Sequence, residues 1–406
     1  MRLETCIRKG LRLKAHRVRE VHEDAEGRLV AEIEAMPGRA RQCGNCGRRT
    51  QRIHSWRPAR EWRDLSVRDQ PLVLRYAPAR VRCLACGARV EHVPWAARWQ
   101  RVTTPLAAAI ARLARQLTWA ETAAHFGVDW KTVYAAVQRA VAWGRAHRKW
   151  QPLHVIGIDE VSRAKGQRYL TLVYDLARRR LVWIGENRDT ETMTTFFRWL
   201  GRRRGRAIRV VCCDMWAAYL TAVRTHLPQA RVVFDRFHVV QHLNRAVDEV
   251  RRATWRALSG EAKTAFKRTR WLWLKNPWNL KDAERRRLSV LCGRTNQPIV
   301  RAYYLKEAFQ AFWFYKYEGW ARPYLAQWLQ WASRSRLEPF VRFARLIRTH
   351  LDGILAWTRL RVANGALEGM NNKVKVISHR AYGFRKTDTY ITAIWHGCGD
   401  LPLPPS

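Results

Sequence analysis

The sequence predicts an α/β domain built on a mixed sheet and interrupted by an all-α insertion, preceded by a small β module and a pair of helices. Three observations carry this. Apolar runs of strand length alternate with helical patterns between residues 153 and 234. From about 238 to 362 the chain reads as helix throughout, and the first 100 residues alternate short β-like runs with turn residues. At 406 residues and 47% apolar content, the chain is long enough for several domains with a sizeable core, which excludes wholesale disorder.

In chain order, residues 1–100 contain β-like runs such as LVAEIEAM and PLVLRYAPARVRC together with two CxxCG knuckles. The knuckles, Cys43/Cys46 and Cys83/Cys86, each offer two thiolates, so the four sulfurs complete a closed tetrahedral site for one structural Zn²⁺. Gly47 and Gly87 permit the tight turn that follows each pair. The 36 residues between Cys46 and Cys83 leave room for a β-hairpin, and His54 and His92 lie outside the ligand set. Nine cysteines is an odd count for a disulfide scaffold, which points the paired ones to metal in a reducing compartment.

Residues 101–150 are predicted to form a helix-turn-helix: Ala120 to Phe126, a turn at Gly127-Val128-Asp129, and a second helix from Trp130 to Ala142. Lys131, Thr132, Tyr134 and Gln138 are its expected exposed positions. Thr132 and Gln138 are suited to base edges, and Lys131 and Arg139 to phosphates.

After a break at Trp150-Gln151-Pro152, residues 151–237 read as strands at 153–159, 168–175 and 181–185, a helix near 190–202, and a strand at 207–213. A helix near 217–227 and a strand at 231–234 follow. A three-strand meander followed by helix, strand, helix, strand is the order of a ribonuclease-H-like fold with a mixed sheet. Residues 238–362 then form the all-α insertion, dense in Arg and in Trp (255, 271, 273, 278, 313, 320, 328, 331). Its Trp-rich face is expected mainly as helix-packing core, with base stacking on a minority of rings. Residues 363–406 are expected to return to the α/β domain.

Two apolar runs each end in an aspartate, LHVIGID at Asp159 and IRVVCCD at Asp214. Neighbouring strands lie about 4.8 Å apart, so two such carboxylates can share hard, oxygen-seeking cations. Glu160 points to the other side if the strand continues. Downstream, NGALEGMNNKVK supplies Glu368 on a helical segment, where i+3, i+4 and i+7 spacing adds Asn371 or Asn372 and Lys375 to its face. Asp235 and His238, in FDRFH, combine a helix-start Asp with a His one turn on; they either support the site or serve as a cap and a packed ring. HRAYGFR adds Arg380, Tyr382, Phe384 and Arg385, guanidinium groups and ring faces suited either to holding DNA beside the carboxylates or, for any one of them, to surface packing.

The formal net charge is +43, with 76 Lys and Arg against 33 Asp and Glu, and 62 of the 76 are arginine. The sequence pI of 11.2 lies above the value of about 9 that flags a nucleic-acid binder. Arginine's planar fork pairs with phosphate and stacks on bases, which favours nucleic acid over an anionic membrane. A high-GC genome also enriches arginine, but it does not set the sign of the charge. No secretory segment and no run of about 18 apolar residues is present, so a soluble, intracellular protein with no membrane association is expected.

On these residues the chain resembles the DDE transposases of bacterial insertion sequences, the ISL-three family. The resemblance runs through the CxxCG knuckles, GIDE, CCDMWxxY, FDRFHVV and NGxxEGxNNKxKxxxxRAYGFR, the last two being the most specific. It implies Asp159, Asp214 and Glu368 as the catalytic triad, on a ribonuclease-H-like domain interrupted between the second Asp and the Glu. Two Mg²⁺ (or Mn²⁺) ions would serve DNA cleavage and strand transfer, with double-stranded DNA at transposon ends and target as partner. A homodimer or higher assembly follows from joining two ends, and the place of action would be the prokaryotic cytoplasm, at the nucleoid. Two other readings remain: a transposase-derived DNA-binding regulator without catalysis, and a nuclease that cuts without joining.

Overall fold

The structure, a computed structural model, describes residues 3–11, 13, 15–164, 168–293, 297–360 and 364–405. It divides into two compact units, Met1–Lys149 with Ile377–Ser406, and Trp150–Val376.

The first unit opens with α1 (Leu3–Gly10), β1 (His16–Glu23) and β2 (Leu29–Ala35). Short strands β3 (Arg41–Gln42), β4 (Arg49–Thr50), β5 (Ile53–Trp56) and β6 (Arg60–Arg63) follow, then β7 (Leu72–Tyr76), β8 (Ala79–Cys83) and β9 (Gly87–Val90). They pair as a four-stranded sheet β1-β2-β7-β6, a hairpin β3-β4 and a three-stranded sheet β5-β8-β9. Glu91 is a hub between them. Its buried carboxylate accepts the Tyr76 hydroxyl at 2.8 Å, the Ala79 N–H at 2.6 Å and the Arg41 guanidinium at 2.8 Å.

His16 lies edge-on to Tyr76 and Trp95, at 5.2 and 5.1 Å, and neither ring nitrogen has a hydrogen-bond partner among the described residues. Burial lowers its pKa from 6.5 to about 4, and burial lowers that of His396 to about 4 as well. The unfolded chain therefore takes up protons between these values while the folded unit does not, so stability is lost as pH falls through that window. The loss is about 3 kcal/mol per ring. Melting curves between pH 7 and pH 4 should show it, and His16→Phe should remove its share.

Next come α2 (Thr104–Leu113), α3 (Trp119–Phe126) and α4 (Trp130–His147). Thr118 and Glu121 form a capping box at the start of α3; Gly127, at φ 58°, ends it in the left-handed region. Asp129 caps α4 by accepting the Lys131 N–H at 2.7 Å.

The second unit holds β10 (Val155–Ala164), β11 (Arg168–Asp175), β12 (Arg180–Glu186), α5 (Thr190–Gly205), β13 (Val210–Cys213), α6 (Ala217–His226) and β14 (Arg231–Phe234). The sheet order is β12-β11-β10-β13-β14, antiparallel through the meander and parallel at β10-β13 and β13-β14. One correction concerns β10. It does not end at Asp159 but continues to Ala164, because β11 stays paired with it well beyond the last β13 partner, Gly157.

The helices α7 (Arg236–Ala257), α8 (Gly260–Ala265), α9 (Arg270–Leu274), α10 (Asp282–Cys292), α11 (Pro298–Ala311), α12 (Glu318–Arg334), α13 (Glu338–Thr349) and α14 (Leu351–Leu360) follow. All but α8, which buries no residue, share one apolar core with the sheet. At Gly353 a Cβ would lie 2.3 Å from the Phe234 ring, so the missing side chain lets α14 lie directly on β14. The expectation that the tryptophans are mainly core is corrected. Trp273, Trp313 and Trp328 are buried, whereas Trp255, Trp271, Trp278, Trp320 and Trp331 are exposed. Trp271 and Trp273 show the cause, since positions two apart face opposite sides of a helix and composition alone does not separate them.

The chain closes with α15 (Asn364–Arg380) and α16 (Thr387–Cys398). The segment 363–406 is divided, because residues from Ile377 onward group with the first unit. There α16 packs on α4, with the Arg145 guanidinium 4.8 Å from the Trp395 ring centre. Among the described residues no helix is long and apolar enough to cross a membrane.

Candidate active site

Asp159 and Asp214 stand together because of strand register. The parallel ladder pairs Val155 with Val210 and Gly157 with Cys212, and each aspartate lies two residues beyond that last pair. Each carboxylate accepts the following backbone N–H, Glu160 at 2.8 Å and Met215 at 2.6 Å. His238, in the first turn of α7, has a ring nitrogen 3.8 Å from each of them, Nε2 toward Asp159 and Nδ1 toward Asp214. Asp235 caps α7 by accepting the Phe237 N–H at 2.8 Å, and its own N–H donates to the Cys213 carbonyl at 3.2 Å. Cap and strand end thereby aim His238.

On the other side of Asp159 lies α15. At Gly157 a Cβ would sit 2.9 Å from the Leu367 side chain, so this glycine permits the close approach of β10 and α15. The approach brings the Asn371 amide to donate to Asp159, while the Tyr174 hydroxyl donates to Asn371 Oδ1 at 3.0 Å. Asn371 and Asn372 are thus separated in role, with Asn371 buried, and Asn372, Lys375 and Glu368 exposed. Replacing Asn371 by Ala leaves the Tyr174 hydroxyl and an Asp159 oxygen buried without this partner, a loss of about 1–3 kcal/mol. Chemical denaturation of the variant checks it.

Glu160, one residue on, faces away from Asp159. Its carboxylate accepts the Tyr219 hydroxyl at 3.2 Å and pairs with Arg188 at 3.5 Å. The Arg188 guanidinium also lies over Tyr169 and Trp216, at 4.2 and 4.9 Å. Tyr174, Tyr219 and Arg188 were not singled out from sequence; Tyr219 stands in the CCDMWxxY motif, one turn into α6, which was the available signal.

The electrostatics describe a site short of positive charge. Burial pushes the Asp159 carboxyl up against the lowering influence of His238. Burial also pushes up Glu160, with Asp159 and Asp214 adding to it, and Asp235, where Asp214 and Glu368 contribute. Gathered carboxylates with raised affinity for protons suit an oxygen-seeking divalent cation, so the donor set fits Mg²⁺ or Mn²⁺. Asp159, Asp214 and Glu368 do not converge to ligand distance of one another; among the described residues only the cysteines do so.

Those cysteines, Cys43, Cys46, Cys83 and Cys86, have sulfurs within 4.8 Å of one another, with Cys46 and Cys83 at 3.5 Å. Sulfurs about 2.3 Å from a tetrahedral Zn²⁺ stand about 3.8 Å apart, so the set fits zinc. The Ala85 N–H leads the groups that lower the Cys83 thiol to about 7.

In the first unit Lys131 and Gln138 are exposed on α4, and Thr132 is partly exposed. The Tyr134 ring is committed to Trp119 at 5.3 Å, and Arg139 is half-buried, with burial lowering its pKa. Trp130, 51% exposed at the start of α4, was missed from sequence. The HRAYGFR segment groups with this unit. Arg380 donates to the Gln116 carbonyl at 2.9 Å, Phe384 meets Trp119 at 5.8 Å, and Arg385 is exposed.

Comparison with known proteins agrees with this organisation. A family model described as transposase, of the DDE ISL3 class, matches residues 156–394. The helix-turn-helix domain of transposase family ISL3 matches 91–141, and the zinc-finger of transposase IS204/IS1001/IS1096/IS1165 matches 39–86. The chain is 34% identical over 356 residues to the transposase for insertion sequence element IS1001 of Bordetella parapertussis, covering 87% of each chain. It is 29% identical over 401 residues to the transposase for insertion sequence element IS1557 of Mycobacterium tuberculosis, covering 92% of this chain and 89% of the relative.

Proposed function

This chain belongs to the ISL3 family of insertion-sequence transposases, and from that premise we propose that it binds the terminal inverted repeats of its element, cuts at them and joins the freed ends to target DNA. The observation that carries the reading is the pair Asp159 and Asp214, set side by side by register with His238 between them. The sheet order of the second unit suits a ribonuclease-H-like catalytic domain, split by the helical insertion at 238–362 and completed by the Glu368 helix.

In this proposal Asp159, Asp214 and Glu368 hold two Mg²⁺ or Mn²⁺ ions, which when bound supply Lewis acidity toward the scissile phosphodiester. Asn371 fixes the Asp159 carboxylate, itself fixed by Tyr174. His238 contributes a ring that accepts or returns a proton between the two aspartates, and Asp235 orients the helix that bears it. Lys375, exposed one turn beyond Asn371, meets phosphate, as does the exposed Asn372 amide. On the first unit, Lys131, Thr132, Gln138 and Arg139 contact the repeat, joined by Tyr134 through its hydroxyl and by Arg380 and Arg385 from the C-terminal segment. The protein acts as a homodimer or larger assembly on DNA, in the cytoplasm at the nucleoid.

The test supplies purified protein, a donor carrying the native terminal repeats, a target plasmid and Mg²⁺. Joined product is the expected result. Binding without cleavage would make the protein a regulator, and cutting without joining a nuclease.

A further inference from the structure

A cavity of about 360 Å³ opens in the second unit between the C-terminal half of α7 and the connection from α8 to α9. Arg251, Arg252, Arg256, Lys267 and Arg268 line it, together with Trp255 and the floor residue Phe266. The bland reading is a stretch of solvated basic surface, which a chain of this charge has in plenty. Three observations separate this place from the rest. First, the cations are poorly neutralised: Asp248 pairs with Arg251 and Arg252, while Arg256, Lys267 and Arg268 have no ion pair among the described residues. Second, the floor is rigid, because Phe266 is 1% exposed and stacks on the fully buried Trp273 at 6.0 Å and 19°. Third, Arg268 is held at φ 57°, a left-handed conformation that L side chains rarely adopt, on the cavity wall.

We propose that this pocket takes one unpaired nucleotide of a DNA strand, with flanking phosphates on Arg256, Lys267 and Arg268 and the base against Trp255. Unpaired cations match phosphate, and Trp255, 37% exposed with the Lys263 ammonium 4.7 Å from its ring centre, supplies a ring against which a base can stack once that flexible side chain moves aside or turns to the phosphate. The volume lies in the usual range of about 300–1,000 Å³ for pockets that enclose a small molecule. An intact duplex keeps its bases stacked inside and presents only phosphates, so it leaves Trp255 unused. The proposal rests on the reading of this chain as a DNA-processing enzyme, but it concerns binding and needs no cleavage.

The full chain is tested by fluorescence anisotropy with a labelled single strand of about a dozen nucleotides and with the same sequence as a duplex. Trp255→Ala should weaken single-strand binding about tenfold while Trp255→Phe keeps most of it, and neither should change duplex binding. Arg256→Glu with Lys267→Glu, both exposed and unpaired, should weaken single-strand binding further and flatten its salt dependence. A strand bearing 5-iodouridine should photo-crosslink to the peptide that contains Trp255. Unchanged single-strand affinity in Trp255→Ala, an equal loss for strand and duplex, or crosslinks confined to other peptides each overturn the pocket. Failure to bind either form of DNA would instead strike the DNA-processing reading itself. Melting curves of each variant report that it is folded.

Discussion

Asp159→Asn is expected to abolish the proposed cleavage and strand transfer together, by about a thousandfold or more, while binding to the terminal repeats persists. The magnitude follows from losing a charged ligand that contributes several kcal/mol to stabilising the transition state, at about 1.4 kcal/mol per tenfold. Asp214→Asn should behave alike, since the register makes the two equivalent partners. A stability signature accompanies the loss. Burial holds the Asp159 carboxyl above its ordinary pKa, so the folded chain binds a proton more readily than the unfolded one, and stability falls as pH rises through that range. Without divalent cations the uncharged variant should therefore melt higher than the native protein at neutral pH. Adding Mg²⁺ should raise the melting temperature of the native protein and not of the variant. Strand transfer that survives Asp159→Asn, or an equal response of both proteins to Mg²⁺, would sink the site assignment.

Removing zinc, or replacing Cys83 by Ser, should unfold the ribbon between about residues 39 and 86 while the second unit stays folded. Structural zinc contributes roughly 10–16 kcal/mol in isolated zinc-finger peptides, far more than the apolar core available here could replace. That local core is only Cys43, Ala79, Val81 and Cys83 with Cys86 against it. The neighbouring sheet has its own core around Trp62, Leu74, Tyr76 and Trp95, so damage should concentrate at the knuckles. Limited proteolysis read by mass spectrometry should find new cuts there after chelation. Protection that is unchanged in the Cys83→Ser protein would show that the ribbon stands without its metal.

Much of the local structure was legible because it depends on neighbours in sequence. The helix-turn-helix was read from the turn at Gly127-Val128-Asp129, and the left-handed Gly127, the Asp129 cap and the Thr118 capping box that form it are all short-range decisions. The two aspartates were legible for a related reason, since each closes an apolar run and parallel register brings them level. Less legible was anything decided by which distant surface a helix meets. The face of α15 that turns inward is chosen by packing on β10, so spacing alone left Asn371 and Asn372 equivalent. The exposed tryptophans escaped for the same reason.

The sequence by itself determined which groups are on offer: thiolates in CxxC pairs, which suit zinc, carboxylates, which suit hard cations, arginine, which suits phosphate, and motifs that identify the family. Tertiary structure alone decided that Gly157 admits α15, that Asn371 meets Asp159 across 212 residues of chain, and that residues from Ile377 onward join the first unit. The physical reason is that residue type and short spacing set which bonds a group can form. Which partner it finds at long range depends on how whole faces exclude water and fit together.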